Sequence, residues 1–507
     1  MGLVTLLVLG LLAAGPVAAQ DARAVVQAAA DTMGVSNMTS IQYTGTGWIG
    51  GVGQNYAPDQ DWPRFELVNY TRTIDFGTGS SKEEMVVRQG DYPARGGGAP
   101  IRGEQHRTQL VSGTRAWDVI GDRIIPRPEQ SERRMLELLL TPHGFLKGAM
   151  SSNVTAVTRN EYGGRVTVIS FRALGRFRVN GTITDQNVVQ RVQTWLPNPV
   201  VGDMYYETVY TDYQDIGGGV QFPMHWHQHQ DFDDGAHQPN VSGGDHSFGL
   251  ETITDVRIDV EDSALTVPGD VAGAVVPVVR VDTEQLADGV WLLAGGSHNS
   301  VLVEFRDYLA VIEAPLNEER SLAVIAEVTA LVPDKPIRFI INTHHHWDHL
   351  GGLRTYVHEG ATVITHDGNR PYYQEVLRAG QWVLAPDRFS LYPPEEWSEG
   401  YIFETVREQY LLGDDTRLVE LHHVQGLNHA AGMLVAYLPQ ERLVVEADLY
   451  TPPAPGGAAP GTPSESNLAL YQNLQRLQLD VETIVPIHGR PSAMSAFEAF
   501  VTASEAR

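Results

Sequence analysis

The stretch best equipped for chemistry is His344-His345-His346-Trp347-Asp348-His349. Imidazole nitrogens and an aspartate oxygen are both good donors to zinc. The spacing His-x-His-x-Asp-His sends His344 and His346, alternate residues of a short loop, toward one point. It sends the adjacent pair Asp348 and His349 toward a second. The apolar run Ile337–Ile341 enters this loop and reads as a strand, and Leu350-Gly351-Gly352 leaves it. A surface cluster of histidines is the plain alternative, but such clusters seldom include the aspartate.

Three more candidate donors follow in similar settings. His429 lies in Gly426-Leu427-Asn428-His429-Ala430-Ala431-Gly432, just ahead of the apolar run 433–438. Asp448 follows the run 442–447, and His488 follows 482–487 and precedes Gly489. Side chains at strand ends, with glycine nearby so that backbones can crowd together, are where α/β enzymes assemble their sites.

With these motifs in order, residues 280–507 resemble the metallo-β-lactamase fold superfamily. The resemblance implies a first metal held by His344, His346 and His429, a second held by Asp348, His349 and His488, and Asp448 bridging the two. His345, Trp347, His422 and His423 fall outside that pattern and read as structural or surface residues. The implied cofactor is a pair of zinc ions. The implied reaction is direct attack on an ester-, lactone-, thioester- or phosphoester-like bond by hydroxide formed at the metals, with Asp348 and Asp448 as the catalytic carboxylates. The chain has no cysteine, which excludes thiol catalysis and thiolate ligands.

Two departures narrow the reading. In true metallo-β-lactamases the position matching Asp448 is usually Cys or Ser, whereas a bridging Asp is typical of glyoxalase II-like, lactonase-like and phosphodiesterase-like relatives. Most of the family also carries an Asp where this chain has Glu313, in Val311-Ile312-Glu313-Ala314-Pro315; the longer side chain could do the same orienting work. The flavodiiron branch usually replaces the second motif His by Glu, and His346 speaks against it. Persulfide dioxygenases share most of these ligands, so iron and an oxygen-dependent sulfur chemistry stand as the alternative to zinc hydrolysis. A ligand-binding protein with a lapsed metal domain is the other alternative. Arg490, two residues after His488, is a candidate clamp for an anionic group of a small-molecule substrate through its planar fork.

The elements that must position these residues form an α+β chain in which a C-terminal αββα sandwich, residues 276–507, follows a β-rich antiparallel-sheet domain, residues 21–275. At 507 residues the chain is too long for one core of this kind. In the first domain, 21–33 has helical spacing. The runs 165–171, Phe177–Thr184, 188–196, 205–213 and 220–230 read as strands, with Asn180-Gly181 and Gly217-Gly218-Gly219 as turns. Tyr210-Thr211-Asp212-Tyr213, that glycine turn and Phe222-Pro223 faintly resemble the curved sheets of periplasmic lipoprotein carriers, which implies an apolar ligand for this domain. His225, His227 and His229 alternate and share one face. Because no carboxylate occupies the same alternating positions, an exposed strand face is preferred to a metal site. The Gly- and Pro-rich stretch 95–103 reads as a loop.

In the second domain Asn317 is expected to cap a helix over 318–332. A strand over 361–365 and a helix near 371–378 follow, and helices over 467–477 and 491–503 complete the sandwich. The insertion 381–404 is either packed loop or substrate wall, and the Pro-rich run 451–463 is expected at the rim of the site. Residues 1–20, with an apolar run over 3–14 and small residues ahead of Gln20, resemble a cleaved signal peptide and point to a periplasmic or secreted protein. About twelve apolar residues are too few to span a bilayer. The net charge of −26 argues against nucleic-acid binding, since a phosphate backbone would be repelled.

Overall fold

The computed structural model describes residues 16–161, 163–231, 246–378, 380–394, 402–454 and 461–503. The apolar run 3–14 lies outside them. The expected first helix is present as Pro16–Thr32, which also contains the small residues ahead of Gln20. None of the described helices is long and apolar enough to cross a membrane.

The N-terminal half is built on one antiparallel sheet of thirteen strands. Two meanders, one from Ser40–Gly50 to Arg123–Pro126 and one from Thr155–Glu161 to His246–Ile258, join where the first strand of one pairs with the last of the other, Ile41 opposite Ile258. Burial alternates along the strands, as in Arg64–Asp75, where Phe65, Leu67, Tyr70, Arg72 and Ile74 face inward. That is the pattern of a sheet with one covered face. Strand propensity reveals Gly164–Ala173 through Gln221–Asp231, while Thr155–Glu161, His246–Ile258 and the whole first meander emerge only in the fold.

The helices Pro16–Thr32, Ser131–Leu139 and Pro142–Met150 contribute Ala22, Val26, Leu136, Phe145 and Leu146 to the same buried cluster as the sheet's Ile41, Leu67, Phe171 and Val179. The expected turn at Asn180-Gly181 is instead the middle of strand Phe177–Thr184. The glycine serves packing: a Cβ at Gly181 would lie 2.1 Å from the Phe145 ring. Gly217, Gly218 and Gly219 do form a turn, all at positive φ.

His143 ties one of these helices to the rest. It is buried, its Nε2 lies 3.2 Å from the Met33 carbonyl oxygen, and its ring stacks on Phe222. Burial lowers its pKa to about 4. Because the unfolded state takes up this proton more readily, the stability contributed by neutral His143 is complete above about pH 6.5 and is lost as pH falls toward 4, on the order of 3 kcal/mol. Denaturant midpoints measured from pH 7 to pH 4 should therefore fall more steeply for the wild type than for His143→Gln; parallel curves would rule the linkage out.

The C-terminal half stacks a seven-stranded sheet on a six-stranded one. Val301, Ile312, Ile341 and Ile364 from the first meet Leu421, Leu434, Ala436 and Val445 from the second in one buried cluster. Strands Leu309–Ile312 and Leu443–Glu446 are buried throughout, as strands covered on both faces must be. Helices Glu465–Arg476 and Met494–Thr502 cover the outer face of the second sheet, and Glu318–Leu331, Leu353–His358 and Arg370–Arg378 flank the first. Asn317 caps Glu318–Leu331 as expected, its side chain accepting from the Arg320 amide.

Strand direction places every metal-capable loop at one edge of the sandwich. Ile337–Ile341 runs parallel to Leu309–Ile312, and Leu443–Glu446 parallel to Thr483–Pro486, so the loops after them open on the same side. Ser300–Glu304 and Leu434–Leu438 run antiparallel to their neighbours, which brings the segments before them to that side as well.

The two halves share one core. Val200 and Val201, in the turn between strands Val189–Asn198 and Gly202–Asp215 of the N-terminal half, and Met204 beyond it lie in the same buried cluster as Leu353, Tyr356 and Leu377. The start of the insertion 381–404 is packed loop: Asp203 accepts from the amides of Val383 and Leu384, at 3.1 and 2.9 Å. Trp382 lies under the Arg354 guanidinium at 4.1 Å. Its residues 395–401 lie outside the described segments.

Candidate metal centre

The loop after Ile337–Ile341 delivers His344, His346, Asp348 and His349 to the open edge of the sandwich, and the tight packing beneath them is polar. Glu313, fully buried, accepts from the Thr343 amide at 2.7 Å through Oε1 and lies 2.8 Å from His349 Nδ1 through Oε2. The Glu that stands where an Asp was expected thus does orient a donor histidine. Its backbone sits at φ +76 and that of Asp448 at φ +61, a conformation costing about 1–3 kcal/mol that persists only where surrounding contacts over-determine it.

Two donor groups result. His344, His346, His429 and Asp448 bring one ligand atom each within 4.8 Å of one another, and so do His298, Asp348, His349 and His488. Asp448 faces both groups. Its Oδ2 lies 2.9 Å from His429 Nε2, 3.5 Å from His344 Nε2 and 3.3 Å from His349 Nε2, while Oδ1 lies 2.8 Å from His488 Nε2. The buried His429 Nε2 makes no aligned hydrogen bond despite that 2.9 Å approach. A buried imidazole nitrogen that approaches a carboxylate without hydrogen-bond alignment suits a ligand of a shared ion. Nitrogen and oxygen donors with no sulfur fit zinc or iron.

The outer partners fix which nitrogen faces the centre. Thr343 Oγ1 lies 2.9 Å from His344 Nδ1, the Asn55 carbonyl oxygen 2.9 Å from His346 Nε2, and the Ser297 carbonyl oxygen 3.0 Å from His488 Nδ1. Burial and the neighbouring imidazoles hold His344 and His346 far below the usual histidine range, so both are neutral donors. Burial opposes a charge on His349 and on His488 too, yet nearby carboxylates, Asp448 above all, outweigh it and raise both. The centre therefore favours positive charge at those nitrogens, and a metal ion would replace the proton there.

His298 is the donor that sequence reading missed. It precedes strand Ser300–Glu304, its Nε2 lies 3.4 Å from Asp348 Oδ2 and its Nδ1 2.8 Å from Ser297 Oγ. A lone His between Ser297 and Asn299 carries no motif of its own. His345 is buried, not a surface residue, and belongs to neither group. His422 and His423 lie elsewhere, beside Glu420 and the Ala431 carbonyl. Trp347 donates to the Tyr372 hydroxyl at 2.6 Å and meets Trp62 edge-on. Arg490 is exposed, just beyond His488.

The N-terminal half completes the centre. Gln54 Nε2 donates to Asp348 Oδ1 at 2.8 Å, Asn55 holds His346, the Trp347 amide donates to Gly53 and the Ala431 amide donates to Tyr56. The stretch 95–103 is a loop as expected, and it backs this segment: a Cβ at Gly97 would fall 1.9 Å from Gln54 Oε1. Arg102 donates to the carbonyls of Thr462 and Pro463 at the far end of the run 451–463, whose residues 455–460 lie outside the described segments. Gln54→Ala should leave the fold intact and weaken metal binding at the Asp348 group by about 10-fold. Competition with a chromophoric chelator would show this, and unchanged affinity would remove Gln54 from the centre.

This geometry defines a two-sheet fold with paired candidate metal-donor groups at one edge. Residues 293–488 match the sequence model of the metallo-beta-lactamase superfamily, and the C-terminal half has that fold. No curated protein matches the chain. Among solved structures it is similar to a metallo-beta-lactamase from Pontibacter korlensis, at 16% identity over 45% of this chain and 100% of that one, with a TM-score of 0.35. It is also similar to a metallo-beta-lactamase from Hirschia baltica, at 16% identity, 43% and 95% coverage and a TM-score of 0.32. A third is rubredoxin oxygen:oxidoreductase from Desulfovibrio gigas, at 14% identity, 44% and 62% coverage and a TM-score of 0.33.

Proposed function

We propose that the protein is an exported metal-dependent hydrolase that uses two zinc ions to cleave an ester-, lactone-, thioester- or phosphoester-like bond of a small molecule. The observation that carries this is the Asp448 carboxylate lying between two complete donor groups. A metal pair held there would lower the pKa of a shared water and polarise the bond it attacks. The chain's own part is to keep that arrangement rigid. Glu313, Thr343, Asn55 and Ser297 fix the imidazoles, Gln54 orients Asp348, and Arg490, exposed just beyond His488, would receive an anionic group. The reading of export rests on the apolar run 3–14 and is tested by N-terminal sequencing of the mature protein.

The N-terminal sheet adds a cavity of about 520 Å³ between its covered face and the helices above it. Its lining is mixed rather than apolar, with Tyr43, Phe222 and Trp226 beside Arg72, Glu83 and Arg133. That supports an amphipathic ligand over a purely lipid-like one.

The test is chelator-stripped full-length protein, reloaded with zinc or with ferrous iron and screened against lactones, thioesters, phosphodiesters, sulfate esters and β-lactams. Hydrolysis restored by zinc supports the proposal. Oxygen consumption by the iron form with a persulfide, and no hydrolysis by either form, would replace it with the sulfur-oxidising reading.

A further inference from the structure

The face of the N-terminal sheet turned away from the cavity carries a second concentration of metal-capable groups. Trp226, Gln228 and Gln230 of strand Gln221–Asp231 line the cavity, so His227 and His229 point to the opposite side. The preference for a plain exposed face rested on no carboxylate sharing the alternation, yet Asp231 continues it at the end of the strand. Sheet register supplies a further carboxylate, and a buried one. Glu207 of Gly202–Asp215 pairs with His229 from one side, and His246 of His246–Ile258 pairs with it from the other. A carboxylate and two imidazoles therefore stand in one row across three strands, with His227 two residues along.

The rings are close: centroids lie 4.4 Å apart for His229 and His246, 4.8 Å for His227 and His229, and 5.8 Å for His227 and His246. One ring nitrogen of each lies within 4.8 Å of the others. Nitrogens around a tetrahedral zinc at 2.0–2.1 Å stand about 3.3 Å apart, so small side-chain rotations close the site. His229 is already oriented for it. Its Nδ1 lies 3.4 Å from Glu207 Oε1, while its Nε2 is buried with no hydrogen-bond partner. Glu207 is itself 4% exposed and fixed through Oε2 by Tyr205 Oη at 2.7 Å and Gln193 Nε2 at 2.6 Å. A buried carboxylate behind one imidazole nitrogen, with the other nitrogen left for an ion, is the usual outer support of a metal-ligating histidine.

We propose that His227, His229 and His246 form a further metal site, separate from the centre at Asp448, which takes one zinc ion with Glu207 orienting His229. Three imidazoles favour zinc and its borderline neighbours over calcium or magnesium. They leave a fourth position for water or an outside ligand. The ion would clip strand Gln221–Asp231 to His246–Ile258.

The test is zinc titration of tag-free, chelator-stripped full-length protein against a chromophoric competitor. It compares the wild type with the double variant His229→Ala, His246→Ala and with the neighbouring His225→Ala. The wild type and His225→Ala should bind one equivalent more than the double variant, and zinc should raise the Tm of the double variant less than that of the wild type. Because the reading is a difference of one equivalent, it does not depend on how many ions the other centre holds. Equal stoichiometry in the wild type and the double variant overturns the proposal. Should the double variant fail to fold, His246→Gln takes its place, with the same loss expected and the same result overturning it.

Discussion

Asp448→Ala is expected to empty both donor groups of the Asp448 centre and to abolish turnover. The carboxylate contacts His344, His349 and His429 through one oxygen and His488 through the other. Of the other described carboxylates there, Asp348 and Glu313 meet histidines of one group only. Its removal takes away the anion that favours positive charge at His349 and His488 and leaves buried imidazoles facing one another. Loss of an outer partner typically costs 10–100-fold in metal affinity, and loss of a bridging ligand should exceed that at both positions. Asp448→Asn keeps the shape without the charge and should fall between. His345→Ala is the control: the residue is buried but belongs to neither donor group, so that variant should lose stability through the cavity it leaves and keep its metal. Elemental analysis and chelator competition on the three proteins decide the matter. Equal metal content in Asp448→Ala and His345→Ala would overturn the ligand assignment.

The second large effect is expected at Glu313. Glu313→Ala leaves the Thr343 amide and His349 Nδ1 without acceptors in a fully buried position. Each orphaned group costs about 1–3 kcal/mol, and metal affinity at the His349 group should fall by about 10–100-fold. Glu313→Asp tests reach, since one methylene less withdraws the carboxylate from both partners, and should resemble the alanine variant in affinity. Glu313→Gln keeps an acceptor for the Thr343 amide and should destabilise least. Thermal midpoints with and without zinc, beside affinities, separate the two contributions. Wild-type affinity in Glu313→Ala would show that His349 is held by packing alone.

The sequence by itself determined the local parts of this protein. His344, His346, Asp348 and His349 stand within six residues, and their spacing alone already separates two convergence points. The strand that carries them, Ile337–Ile341, is short and mostly apolar, so composition reveals it. Asn317 announces its helix because a cap acts within three residues. Tertiary structure alone decided the parts whose partners are remote in the chain. Gln54 reaches Asp348 across 294 positions and His298 reaches it across 50. Neither has a local pattern, because a single polar side chain costs nothing to place until the fold sets what it faces. Gly181 read as a turn because glycine signals flexibility to its neighbours in sequence, whereas here it makes room for Phe145. His229 gained the buried carboxylate of Glu207 only through register. Pairing register is set by which face of the whole sheet is buried, a property that no single strand contains.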